Sequence, residues 1–121
     1  MYELSITTHF AAAHRLREYH GDCENLHGHN WKVRVTVKSE TLDDLGMAID
    51  FRDLKQIVNG VLDPFDHAFL NDLDAFEAVN PTTENIARIV ADGVAEQLPA
   101  GVAIESVTAW ESENCSATYR P

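Results

Sequence analysis

His29-Asn30-Trp31-Lys32-Val33-Arg34-Val35-Thr36-Val37-Lys38 alternates without a break: Trp31, Val33, Val35 and Val37 take one side, and Lys32, Arg34, Thr36 and Lys38 the other. A period of two with one apolar side describes a strand that buries one face, as antiparallel sheets do. Upstream, Tyr2, Leu4, Ile6, Thr8 and Phe10 share one face of a second strand over Tyr2 to Ala13. The polar, turn-prone residues 15–26 lie between them, so the two strands are expected to form a hairpin with a long excursion.

Downstream, the period changes. After a connection over residues 39–49, punctuated by Gly46, Asp50 suits an N-cap. Phe51, Leu54, Ile57, Val58, Val61, Leu62 and Phe65 then form a helical stripe, and Pro64 marks its end. A loop runs from Asp66 to Pro81. Thr82 or Thr83 can cap a second helix with Glu84 in its first turn. Ile86, Val90, Val94 and Leu98 recur every four residues until Pro99 and Gly101 stop the pattern. Val102 to Trp110 and Ser116 to Tyr119 read as two more strands. The order ββααββ predicts an α+β fold, a four-stranded antiparallel sheet with two helices on one face. Its exposed edges are a reason to expect oligomers.

The 121 residues fit one domain, 1–121, with 45% apolar and 24% charged residues. Nine basic against twenty acidic residues give a net charge of −11, which disfavours nucleic acid or an anionic membrane as partner. No apolar run approaches the ~20 residues of a membrane span. The start, Met1-Tyr2-Glu3-Leu4, lacks a signal-peptide pattern, so a cytoplasmic protein is expected. There Cys23 and Cys115 are expected to be catalytic, metal-binding or inert rather than bridged.

His27-Gly28-His29 carries the sharpest chemical signal. Residues i and i+2 of an extended chain project to one side, so two imidazoles can converge on one ion. His14 ends the first strand, and antiparallel pairing sets it beside the start of the second. Three neutral imidazoles suit Zn²⁺ and leave a fourth position open for water or substrate. Two other readings stand beside this one: ordinary surface histidines, or a closed structural zinc with Cys23 as fourth ligand in a non-catalytic oligomeric module. Cys23, four residues before His27 in a polar loop, can alternatively act as nucleophile or general base, because nearby zinc and imidazoles lower a thiol pKa. In Asp66-His67 a carboxylate can orient a histidine for proton transfer, although an Asx turn explains the pair equally well. Glu111, at the end of the third strand, can accept two hydrogen bonds from a guanidine-like edge. Nothing in the sequence promotes His9 or His20.

Taken in order, Phe10-Ala11-Ala12-Ala13-His14-Arg15-Leu16, Cys23-Glu24-Asn25-Leu26-His27-Gly28-His29-Asn30, Ile49-Asp50-Phe51-Arg52-Asp53-Leu54-Lys55, Phe65-Asp66-His67-Ala68-Phe69-Leu70-Asn71, Asn80-Pro81-Thr82-Thr83-Glu84-Asn85-Ile86 and Trp110-Glu111 resemble the 6-pyruvoyltetrahydropterin synthase / 6-carboxytetrahydropterin synthase family, from about residue 4 to residue 120. The resemblance implies the tunnelling fold, and trimers around a β-barrel that pair into a homo-hexamer with active sites between subunits. It implies zinc on His14, His27 and His29, and a proton-transfer group of Cys23, Asp66 and His67, the last two from a neighbouring subunit. Glu111 would anchor the pterin. The Cys-x3-His-Gly-His spacing is similar to that of the bacterial 6-carboxy branch. That branch turns 7,8-dihydroneopterin triphosphate into 6-carboxy-5,6,7,8-tetrahydropterin, releasing acetaldehyde and triphosphate, on the way to queuosine and other 7-deazapurines. The 6-pyruvoyl branch has a longer gap, and a third branch cleaves the dihydroneopterin side chain. Arg15, Arg17 and Lys32 are candidate partners for the triphosphate.

Overall fold

Strands β1 (Tyr2–His14) and β2 (His27–Ser39) pair antiparallel along their whole length, from Tyr2 opposite Ser39 to His14 opposite His27. This is a computed structural model, and it describes residues 1–20 and 25–121. Trp31, Val33, Val35 and Val37 are fully buried, joined across the pair by Ile6 and Phe10. Phe10 stacks on Trp31 with ring centroids 5.9 Å apart. The apolar side of the alternation is therefore the floor of the core.

Helix α1 (Phe51–Leu62) starts where Asp50 caps it, its carboxylate accepting the Arg52 amide at 2.8 Å. Leu54, Val58 and Leu62 face the core. Phe51 does not: at the helix's first position it remains 52% exposed. Helix α2 (Thr83–Ala95) is capped by Thr82, whose hydroxyl accepts the Asn85 amide at 3.1 Å. It buries Ile86, Ala87, Val90, Ala91 and Val94. It stops at Ala95, short of the expected Pro99, and the chain leaves through a tighter bond from the Gln97 amide to the Val94 carbonyl (3.0 Å). The helices touch at Gly93, where a Cβ would stand 3.1 Å from Val61 Cγ1. Both lie on the buried face of the sheet, as the α+β expectation requires.

Strands β4 (Ala103–Ser112) and β5 (Cys115–Tyr119) complete the antiparallel part. The expected four-stranded sheet has a fifth member. Strand β3 (Ala68–Phe69) lies parallel to Ala12 and Ala13, giving the order β3-β1-β2-β4-β5. Two residues leave no periodicity to read. The His67 amide, which donates to the Ala11 carbonyl at 2.6 Å, brings this segment alongside β1. Two 3₁₀ turns, Leu70–Asp72 and Asp74–Phe76, occupy the rest of the expected loop and bury Leu70 and Phe76. Among the described residues no helix is long and apolar enough to cross a membrane.

A candidate metal centre at the end of the hairpin

The pairing of β1 with β2 puts His14 opposite His27 and Ala12 opposite His29. His27 and His29 continue the parity of Trp31, so all three imidazoles emerge on the core side at one end of the sheet. The ring centroids of His14 lie 4.6 Å from His27 and 5.2 Å from His29, with Trp31 5.0 Å away as floor. Glu111 joins them because it continues the buried parity of Val107 and Ala109 on β4. Its Oε1 is 2.9 Å from His29 Nε2 and 4.0 Å from Nε2 of both His14 and His27.

One donor atom from each of His14, His27, His29 and Glu111 lies within 4.8 Å of the others, a group able to hold a metal ion. A tetrahedron with metal–nitrogen bonds of about 2.0–2.1 Å has edges of about 3.3–3.4 Å, inside the range of distances seen. The ring orientations fit as well. His14 Nδ1 meets the Pro81 carbonyl at 2.8 Å, and His27 Nδ1 meets the Asn25 carbonyl at 2.9 Å. A carbonyl has no proton to give, so in each pair Nδ1 carries the proton and Nε2 turns its lone pair to the cluster. Metal-binding histidines are oriented this way. His14 Nε2 is buried with no hydrogen-bond partner among the described residues. A buried acceptor left so is costly unless something binds it.

The support extends outward in two clamps. The side chain of Asn71 accepts the Arg15 amide (3.0 Å) and donates to the Arg15 carbonyl (2.9 Å). Asn80 does the same for Arg17, at 2.8 and 3.1 Å. The Arg17 guanidinium donates to the carbonyls of Phe76 and Val79. Arg17 is thus engaged, through Nη2, in holding the backbone. Lys32 lies over the Trp110 ring at 4.2 Å on the open face of the sheet, and Arg15 over Phe69 at 5.9 Å. Thr83 Oγ1 donates to Glu111 Oε2 at 3.2 Å.

Asp66 and His67 form the expected contact, Oδ2 to Nδ1 at 3.1 Å. Asp66 Oδ1 accepts the Ala11 amide at 2.9 Å. That bond, and then the neighbouring His67, hold the Asp66 carboxyl below the usual carboxylate pKa. His67 stands in the left-handed region with φ of 57° and exposes 82% of its side chain. The pair does not share the cluster's cleft. That cleft, about 220 Å³, is lined by His14, His27, Thr82, Thr83, Glu84 and Glu111, with Leu16 at its side. His67 lines a separate open depression with Ala11, Ala13, Gly28, Asn30 and Phe69, which His29 also borders. Cys23 lies outside the described residues. His9 and His20 are exposed.

Sequence reasoning missed the backbone carbonyl of Pro81, the two asparagine clamps and the hold of Thr83 on Glu111. It also treated Glu111 as a substrate group alone. The parity of Val107, Ala109 and Glu111 was the available signal for placing the carboxylate beside the histidines.

Residues 3–121 match the profile of the 6-pyruvoyl tetrahydropterin synthase family. The chain is 39% identical over 98 residues to 6-carboxy-5,6,7,8-tetrahydropterin synthase of Bacillus subtilis, covering 77% of this chain and 65% of that one. It is 36% identical over 102 residues to dihydroneopterin monophosphate aldolase of Pyrococcus furiosus, covering 84% and 82%. In three dimensions it superposes on 6-pyruvoyl tetrahydropterin synthase of Caenorhabditis elegans with a TM-score of 0.86 at 27% identity, covering 99% and 95%.

Proposed function

The chain belongs to the 6-pyruvoyl tetrahydropterin synthase family, and from that premise we propose that it is a zinc-dependent lyase converting 7,8-dihydroneopterin triphosphate and water to 6-carboxy-5,6,7,8-tetrahydropterin, triphosphate and acetaldehyde. The observation that carries this reading is the convergence of donor atoms from His14, His27, His29 and Glu111 within 4.8 Å of one another, with His14, His27 and Glu111 lining one cleft. His14, His27 and His29 hold the zinc. When bound, the ion acts as a Lewis acid toward oxygen ligands and lowers their pKa.

The remaining work belongs to side chains. Glu111 accepts the 2-amino-pyrimidinone edge of the pterin through two charge-assisted hydrogen bonds, with Thr83 fixing the carboxylate's rotation. Cys23, as thiolate, takes a proton from the side-chain carbon. His67, held in one tautomer by Asp66, returns protons to the product. The dyad's separation from the cluster's cleft favours its service to a neighbouring copy. The open edges of β5 and of the N-terminal part of β1, beyond the reach of β3, favour assembly of several copies. A homo-hexamer built as a dimer of trimers satisfies both.

Among the three activities named for the relatives, the Cys23-x3-His27 spacing favours the carboxy product. Incubation of zinc-loaded protein with 7,8-dihydroneopterin triphosphate, read by mass spectrometry, separates them. A 6-carboxytetrahydropterin mass with acetaldehyde is expected. A 6-pyruvoyl product would keep the site and reject the spacing argument, and a pterin shortened at C6 without acetaldehyde would assign a side-chain lyase. Zinc binding without any turnover would leave a zinc-stabilised module.

A further inference from the structure

Two groups of the cleft, on different strands, depend on one short segment. The Pro81 carbonyl orients His14 through Nδ1, and Thr83 Oγ1 holds Glu111 through Oε2. Between them Thr82 caps α2. Residues 80–83 therefore set the ring of a metal-binding histidine and the rotation of the carboxylate at once.

This segment is anchored chiefly by Asn80. The residue before a proline is biased toward extended backbone, and the Asn80 side chain pairs with both backbone groups of Arg17, at 2.8 and 3.1 Å, as a neighbouring strand would. Its own carbonyl accepts Asn85 Nδ2 at 2.9 Å, tying the segment to the first turn of α2. The Arg17 side chain closes the loop on the carbonyls of Phe76 and Val79. Asn71 makes the same two-bond clamp on Arg15, and none of its side-chain bonds reaches residues 80–83.

We propose that Asn80 is a positioning residue that sets His14 and Glu111 together, coupling metal affinity to pterin affinity; this rests on the reading of those two residues as zinc ligand and pterin anchor. Loss of its side chain strands the Arg17 amide and carbonyl and frees Pro81 and Thr83 to drift. Partners that orient metal ligands are typically worth 10–100-fold in metal affinity.

The test compares Asn80→Ala with Asn71→Ala in the full chain. Zinc affinity is read by competition with a chromophoric chelator, and pterin affinity by the fluorescence of neopterin. Asn80→Ala should weaken zinc about 10–100-fold and neopterin binding with it, whereas Asn71→Ala should leave neopterin affinity unchanged. A clip that merely stabilises the fold lowers the melting temperature of both variants with zinc affinity within twofold of wild type, and that result overturns the proposal. Asn80→Asp, which keeps the acceptor for the Arg17 amide and loses the donor, should fall between wild type and alanine. Should Asn80→Ala fail to fold, Asn80→Asp carries the test: zinc and neopterin affinities both within twofold of wild type overturn the proposal. Wild-type protein that binds no zinc would remove the functional reading as well. Normal wild-type binding with an unaffected Asn80→Ala removes this inference alone.

Discussion

The histidine cluster and the Asp66–His67 pair use the same kinds of side chain in opposite surroundings. His14 exposes 3% of its side chain and His67 82%. In the cluster, two rings are aimed by backbone carbonyls, and the clamps behind them satisfy both backbone groups of Arg15 and Arg17. The pair has water around it and rests on one strand edge through the Ala11 amide and carbonyl. A buried nitrogen without a partner demands an occupant. An exposed imidazole demands nothing, so what it does depends on what is brought to it. Among the described residues, one centre is ringed by protein groups and the other lies open on the surface.

The sharpest way to break this contrast is His27→Ala. It should abolish tight zinc binding, by more than about 100-fold, and turnover with it. Full zinc retention, measured by metal analysis after dialysis, would remove His27 from the centre. On the other side, His67→Ala should keep zinc and lower turnover by about 10²–10⁴-fold, the usual worth of a positioned acid–base group. Zinc loss there would merge the two regions into one. Mixing the two variants as subunits of one oligomer sharpens the comparison further. Partial activity should return, because an intact cluster can meet an intact pair across an interface, and no recovery would place both in the same subunit.

Smaller effects follow. Glu111→Gln should weaken neopterin binding by about 10–100-fold, since hydrogen bonds to a charged group are worth about 1.5–3 kcal/mol; unchanged affinity in a fluorescence titration would end its role as anchor. The smallest is the titration of Asp66. Its folded pKa is lowered, first by the Ala11 amide and then by His67. Its contribution to stability is therefore complete above the unfolded value of about 3.9, and is lost as pH falls through the lowered folded value. The Ala11 amide shift should follow this titration with a midpoint below 3.9, and a midpoint at or above that value would show the contact absent in solution.

Much of the fold was legible because its elements announce themselves locally. The alternation of β2 and the caps at Asp50 and Thr82 are each decided by a residue and its near neighbours. The convergence of His14 with His27 and His29 followed from strand pairing alone. Strand β3 was not legible, because two residues have no period. The end of α2 was misplaced because Leu98 keeps its apolar contact after the helix has stopped.

By itself, then, the sequence determined the layers, the hairpin and the three imidazoles at its end, since these depend on side-chain parity and nearest-strand pairing. Only the tertiary structure decided that Glu111 meets the histidines, that Pro81 orients His14, and that Arg17 is bound to backbone carbonyls. Those contacts join residues 59 to 97 positions apart in the chain. Parity puts Glu111 on the buried face of its strand, but no local pattern encodes which groups these residues meet, because the contacts form only when the helices and the sheet have closed over a common core.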